Sequence, residues 1–318
     1  MFHKIQSQMF NQWSNCMGVL LNAMVRSAEI TGEAMDEITY QQVKAIKSGL
    51  LSSARQLCDA WKATSSFLVK APKRRVALVT GGTGVLGTAI CKKLAEASNQ
   101  VVATYLACEQ ADAKSWQSQC LAEGYAIDLV HCDVTDYTSC EAMAEAVARK
   151  WGSIDILVNC AGITPDNTLR KMDEEHWHAV LDTNLDSVFN VTRNVVDGMI
   201  ERRFGRIINI SSVNGQKGQF GQTNYAAAKA GMAGFTRSLA RELAARGITV
   251  NTVSPGYVAT NLVKQVPEQI RQEIISKIPA GRLAESSEIA QAVAFLAAEE
   301  SSYVTGTDLA VNGGLFMI

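Results

Sequence analysis

From residue 76 onward the chain alternates apolar runs of strand length with longer stretches of helical spacing, and that alternation leaves little choice of fold. The candidate strands are Val76 to Thr80, Val101 to Tyr105, Asp128 to Cys132, Ile156 to Asn159, Arg206 to Ile210, Thr249 to Val253 and Asp308 to Val311. Helix-like segments separate most of them, which is the habit of βαβ units building a parallel sheet. The pattern predicts a Rossmann-type α/β domain over residues 76–318, a doubly wound parallel sheet of about seven strands. Its ligand site is expected beyond the carboxyl ends of the strands. No internal repeat or low-complexity tract interrupts it.

The residues before this domain have a different character. No proline precedes Pro72, and apolar residues recur at Phe2, Ile5, Met9, Trp13, Met17, Leu20 and Met24, spacings of three and four that put them on one helix face. The pattern resumes through Met35, Ile38, Val43, Ile46, Leu50, Leu57 and Trp61, with Gly32 and Gly49 as breaks. Residues 1–71 therefore read as an all-α segment, and Pro72-Lys73-Arg74-Arg75 as a basic linker over 72–75.

A formal net charge of -1 gives no global attraction to nucleic acid or to an anionic membrane. The eight cysteines form no C-x-x-C pair and no His/Cys cluster at metal spacing, so they read as reduced thiols of a cytoplasmic protein without a metal site. Cys16 to Val25, the most apolar early stretch, is too short to span a bilayer, and no transmembrane helix is expected.

The first strand runs into Thr80-Gly81-Gly82-Thr83-Gly84-Val85-Leu86-Gly87 and then a helical stretch. A glycine-rich turn at a helix N-terminus lets the backbone approach a pyrophosphate and aims free N–H groups at it. Gly81, Gly82, Thr83, Gly84, Leu86 and Gly87 are thus candidate cofactor contacts. At the end of the second strand stand Thr104, Tyr105 and Leu106, without the carboxylate that grips the ribose of NAD. This favours NADPH, although no Arg or Lys stands there either and NADH stays open. Asp133, ending the third strand, either hydrogen-bonds the adenine or caps the following turn.

Tyr225 and Lys229 lie four apart in Tyr-Ala-Ala-Ala-Lys-Ala-Gly, a run of helix formers that puts both side chains on one face. A cation beside a phenol stabilises the phenolate, so Lys229 is expected to lower the pKa of Tyr225 and suit it to act as a general acid. Such a pair alone is more often an exposed helix face. Here Ser212 ends a strand thirteen residues upstream, Asn159-Cys160-Ala161-Gly162 closes the fourth strand, and Asn184 follows in Asp182-Thr183-Asn184.

These motifs together resemble the short-chain dehydrogenase/reductase superfamily over residues 75–318. Within it, the run from Asn209 to Tyr225, Gly162-Ile163-Thr164, Asp182-Thr183-Asn184-Leu185 and Ser254-Pro255-Gly256-Tyr257 are similar to the acetoacetyl-CoA reductases of polyhydroxybutyrate synthesis. The resemblance implies that Tyr225 protonates a carbonyl oxygen, Lys229 lowers its pKa and binds the nicotinamide ribose, Ser212 orients the carbonyl, and Asn184 anchors a water of the proton relay. Asn159, Ala161, Gly162, Pro255, Gly256 and Thr260 take cofactor-binding positions. Gln219, Gln222 and Tyr257 resemble positions that contact the acyl-CoA, with a plain surface-loop role as the alternative.

There are two departures. The superfamily's usual Thr-Gly-x-x-x-Gly-x-Gly has Val85 at its middle glycine, where a side chain crowds the cofactor, and the usual Asn-Asn-Ala-Gly carries Cys160. The implied reaction is reduction of a short 3-oxoacyl-CoA to the (R)-3-hydroxyacyl-CoA, with 3-oxoacyl-carrier-protein reduction as the rival. A non-catalytic dinucleotide-binding scaffold is the alternative of another class, and the intact Asn184, Ser212, Tyr225 and Lys229 set argues against it. A homotetramer is expected from the family alone. Residues 1–71 loosely resemble phasins, which coat polyhydroxyalkanoate granules, with a packing helix pair or a membrane-surface helix as the competing readings.

Overall fold

The computed structural model of the protein describes residues 74–260 and 267–317. The helical segment expected over residues 1–71, and with it the granule-surface reading, lies outside the described residues.

Seven parallel strands form one sheet: β1 Val76–Val79, β2 Gln100–Tyr105, β3 Ile127–His131, β4 Ile156–Asn159, β5 Gly205–Ile210, β6 Ile248–Pro255 and β7 Asp308–Val311, in the order β3-β2-β1-β4-β5-β6-β7. Each predicted strand is present, with ends moved by a residue or two. β1, β4, β5 and β6 are buried along their whole length, which is why they read as unbroken apolar runs rather than as alternating ones. The edge strands β3 and β7 are only half-buried.

Nine α-helices are described: α1 Val85–Glu96, α2 Gln110–Ala122, α3 Tyr137–Trp151, α4 Glu174–Leu181, α5 Ser187–Arg202, α6 Val213–Lys217, α7 Thr223–Leu243, α8 Glu268–Ser276 and α9 Ser286–Ala297. Because successive strand residues point to opposite faces, the core divides in two. Ala77, Val79 and Ile208 pack with Ile90 and Leu94 of α1 and Ile289 and Val293 of α9. Leu78, Leu157 and Ile207 pack on the other face with Met143 and Val147 of α3 and Val191 and Met199 of α5. Each fully buried Leu or Ile contributes about 2 kcal/mol by removal from water, so both layers are held firmly to the sheet.

The order reverses between β1 and β4, whose register is Ala77↔Ile156, Leu78↔Leu157 and Val79↔Val158. Strands on either side of this point send their connections in opposite directions, and a crevice opens beyond their carboxyl ends. The loops that carry the sequence motifs all meet there.

Candidate active site

A cleft of about 790 Å³ occupies the crevice. Its floor is set by two threonines. The Thr80 hydroxyl accepts from the backbone N–H groups of Cys160 and Ala161, at 3.0 and 3.1 Å, latching the turn after β1 to the turn after β4. Gly81 donates its N–H to the Thr104 hydroxyl at 3.1 Å, tying the same turn to β2. Gly81 has φ of +61°, and a Cβ there would lie 2.9 Å from the Ala161 Cα; one on Gly87 would lie 2.2 Å from the Gly81 carbonyl oxygen. Only glycine fits either place. Helix α1 starts after Gly84 without a side-chain cap, so its first N–H groups remain available to an anion. Loop, helix end and cleft size fit a dinucleotide.

Of the expected cofactor contacts, Gly81, Thr83, Gly84, Leu86, Gly87, Asp133, Ala161, Gly162 and Thr260 line this cleft. Gly82 lies behind the wall, where a Cβ would meet Ala103 Cβ at 2.6 Å. Asn159 turns into the sheet: its amide donates to Asn209 Oδ1 at 2.8 Å and Thr192 Oγ1 at 3.2 Å, bracing β4 against β5 and α5 beneath the site. Pro255 ends β6, and Gly256 lines a separate small cavity with Tyr257. Asp133 does cap its turn, Oδ1 accepting from the Thr135 N–H and hydroxyl at 2.9 and 2.7 Å, and it also faces the cleft. Val85 begins α1 on the cleft wall with 46% of its surface exposed, so its side chain faces the opening rather than the packed loop.

Beside the Gly162 wall of the cleft, where an added Cβ would stand 3.5 Å from Lys229 Nζ, Lys229 is buried in α7; its Nζ donates to the Ile210 carbonyl at 2.8 Å, while the Ser211 hydroxyl donates to the Lys229 carbonyl at 2.9 Å. These two bonds fasten α7 to the end of β5. Ser212 caps α6 by accepting from the Asn214 N–H at 3.1 Å, and its hydroxyl is hydrogen-bonded to the Tyr225 phenol. The fold thus brings Ser212, Tyr225 and Lys229 close together.

The electrostatics differ from expectation. Burial pushes the Tyr225 phenol above its ordinary value; the Ser212 bond pulls it back, and the charges of Asp166 and Cys160 add to the rise. Lys229 Nζ stands 5.6 Å from the Tyr225 ring centre and reaches past it to Ile210, so its stabilisation of the phenolate does not outweigh the loss of water. Burial also lowers Lys229 itself from 10.5 to about 8, a fall that nearby Cys160 slightly opposes.

Asn184 sits in a π-helical turn, Asp182–Asp186, between α4 and α5. Its Oδ1 accepts from the Ile163 N–H at 3.2 Å, and its Nδ2 donates to the carbonyls of Ile163 and Val180, both at 2.9 Å. The side chain thus clamps the loop after β4 onto the helix.

The three expected acyl-CoA contacts separate. Gln219 is exposed, next to Phe220 at 85% exposure. Gln222 is buried, its Oε1 accepting from Asn214 Nδ2 at 2.9 Å and its Nε2 donating to Asp166 Oδ1 at 2.8 Å and Thr164 Oγ1 at 3.2 Å. It organises the loop rather than offering a free amide. Tyr257 is half-buried, and its phenol is raised by burial and then by Asp166. Asp166, which acts on both tyrosines, was not among the expected residues; its position in Thr164-Pro165-Asp166, just after the glycine closing β4, was the available signal. Thr80 was missed as well, though a hydroxyl ending a strand before a glycine turn is placed to reach the neighbouring turn.

Among the described residues no three His, Cys, Asp or Glu are grouped to hold a metal, and no helix is long and apolar enough to cross a membrane.

The family model described as enoyl-(acyl carrier protein) reductase matches residues 83–316, and the chain belongs to the short-chain dehydrogenase/reductase superfamily, whose oxidoreductases use nicotinamide cofactors. It is 56% identical to the acetoacetyl-CoA reductase of Allochromatium vinosum, over 76% of this chain and 99% of that one. Identity to the acetoacetyl-CoA reductase of Cupriavidus necator is 49%, over 77% and 99%. The 3-oxoacyl-(acyl-carrier-protein) reductase of Vibrio cholerae is 47% identical, over 77% and 98%. These matches leave about a quarter of this chain uncovered.

Proposed function

We propose that the protein reduces acetoacetyl-CoA, or a similarly short 3-oxoacyl-CoA, to the (R)-3-hydroxyacyl-CoA. The reduction rests on one observation above all: a Tyr225 phenol hydrogen-bonded to Ser212, on the helix whose Lys229 abuts the Gly162 wall of a cleft fit for a dinucleotide. The CoA ester rests on the 56% identity to a relative named for it, with carrier-protein thioester as the second reading because 47% identity to such a reductase is not far behind.

A nicotinamide cofactor, when bound, would supply the hydride. The backbone of Gly81 to Gly87 and the uncapped start of α1 would hold its pyrophosphate, and Gly162 and Thr260 would contact its nicotinamide half. Ser212 donates to the substrate carbonyl and orients it. Tyr225, held above its ordinary pKa by burial, stays protonated well above neutral pH and passes its proton to the carbonyl oxygen as the hydride arrives. Lys229, near 8, carries a positive charge at neutral pH, so its ammonium favours the transient phenolate and donates to the nicotinamide ribose. With the Asn184 side chain taken by Ile163 and Val180, the group it offers a relay water is its main-chain carbonyl. Tyr257 and Asp166 flank the path of the thioester.

The protein is proposed to act in the cytoplasm as a homotetramer, on the strength of the family resemblance. Residues 1–71 are proposed to touch a polyhydroxyalkanoate granule, on the strength of their amphipathic pattern and of the pathway to which such a reductase belongs. The test is the specificity constant of the full chain for acetoacetyl-CoA against the matching carrier-protein thioester. A clear preference for the CoA ester is expected; preference for the carrier protein transfers the enzyme to the second reading.

A further inference from the structure

Cys132 follows β3 directly, and Cys140 lies in the first turn of α3. Both are buried, and their sulfurs stand 3.8 Å apart; among the described residues no other two thiols are in hydrogen-bond contact. The proposed reduction uses neither. Cys132 is held to β2 by its N–H, which donates to the Tyr105 carbonyl at 3.0 Å, and it lines the cleft. Cys140 Sγ rests 3.7 Å from the carbonyl oxygens of Asp133 and Val134. These two residues and Thr135 form the turn that borders the cleft beside Cys132. The Asp133 N–H donates to Ser139 Oγ at 2.9 Å, so the turn is tied to the same start of α3.

A disulfide needs its sulfurs about 2.0 Å apart. Since Cys132 is anchored to the sheet, closing the 3.8 Å gap draws the start of α3 towards β3 and compresses the turn between them. The two thiols are suited to different parts. The bond from Cys140 pulls the Cys132 thiol below its ordinary value, burial opposes it and Ser139 adds to the fall; Cys140 is raised by the same bond and by burial. Cys132 is thus the nucleophile. Its thiolate attacks one oxygen of hydrogen peroxide, breaking the O–O bond and giving a sulfenic acid and hydroxide. The Cys140 sulfur then attacks the Cys132 sulfur and displaces the second hydroxide. With the protons of both thiols the two hydroxides leave as water, so the thiols lose two electrons and the peroxide gains them.

We infer that Cys132 and Cys140 form a reversible disulfide, made by hydrogen peroxide, that weakens cofactor binding by distorting the Asp133 turn. The inference rests on the cleft being the dinucleotide site. The test treats the full chain with hydrogen peroxide and maps its linked peptides by mass spectrometry. NADPH and NADH are each titrated by calorimetry before oxidation, after it, and after dithiothreitol. A peptide joined through Cys132 and Cys140 is expected. Affinity for the tighter cofactor should fall about tenfold, as loss of one hydrogen bond of the turn would give, and return with dithiothreitol. Cys140→Ser and Cys140→Ala should bind cofactor as the reduced chain does and keep that affinity under peroxide. No joined peptide in the unaltered chain, a joined peptide with unchanged affinity, or a loss that persists in both variants and so belongs to another thiol such as Cys160, overturns the switch while leaving the site intact. If the reduced chain binds neither cofactor, the dinucleotide reading of the cleft is what has failed, and the switch falls with it.

Discussion

Replacing Lys229 with Met should abolish turnover and make the protein more stable at neutral pH. Lys229 is buried, and its pKa falls from 10.5 to about 8 on folding. Between those values the unfolded chain binds one proton more than the folded chain, so stability rises with pH through the window from about 8 to 10.5. Below it the buried ammonium costs its full amount, about 3 kcal/mol at roughly 1.4 kcal/mol per tenfold change in proton affinity. Methionine, similar in length and uncharged, removes that cost. It also leaves the Ile210 carbonyl without its donor, a loss of about 1–2 kcal/mol. The net gain at pH 7 is about 1–2 kcal/mol, set by the difference between these two amounts. Urea midpoints of both proteins at pH 7 and pH 10 measure it, and the advantage of the variant should shrink or reverse at the higher pH, where the folded lysine has lost its proton and most of the window has been crossed. A variant less stable at pH 7, or an advantage equal at both pH values, would refute the reasoning and mean that the ammonium is better paired than its single carbonyl suggests.

Tyr225→Phe removes the transferable proton without removing the ring, so turnover should fall by about 100-fold to 10,000-fold while cofactor affinity, measured by calorimetric titration, changes little; unchanged turnover would end its assignment as the acid. Gln222→Leu strands the buried Asn214 amide and frees Asp166 and Thr164, and the denaturation midpoint should drop by the equivalent of about 1–3 kcal/mol. If stability holds and only the KM for the thioester rises, Gln222 belongs to the substrate after all.

The sheet was legible because its central strands are buried on both faces and so appear as apolar runs between helices; even the half-exposed β7 was found from Asp308 to Val311. The phosphate turn was legible because only glycine satisfies Gly81 and Gly87 where they stand. What spacing could not show is the direction of a side chain. Asn159 and Gln222 carry the amides expected of ligand contacts, yet both point into the protein, where their hydrogen bonds brace the sheet and the loop. Nor could sequence weigh burial against charge: the four-residue interval put Lys229 beside Tyr225, but the phenol is raised because water is lost on the same face that brings the lysine near. Glu109 also lines the cleft, which spacing did not show because it follows the end of β2 by four residues, at the close of a 3₁₀ turn over Ala107–Glu109.

The π-helical turn at Asp182–Asp186 bears on how this chain can vary in length. A π turn holds roughly one residue more than an α turn. Deleting a single residue there would restore regular winding and leave the flanking helices in register, so the whole change would fall on the turn that carries Asn184. Asn184 would then swing away from Ile163, and the loop bordering the cleft would lose all of the side-chain bonds described between them. Loops elsewhere on the surface can gain or lose residues with small consequences, but the stretch from Glu174 to Arg202 is gauged to its length. A homologous segment one residue shorter would look like an innocent gap in an alignment and would nonetheless have lost the widened turn that aims Asn184 at the loop.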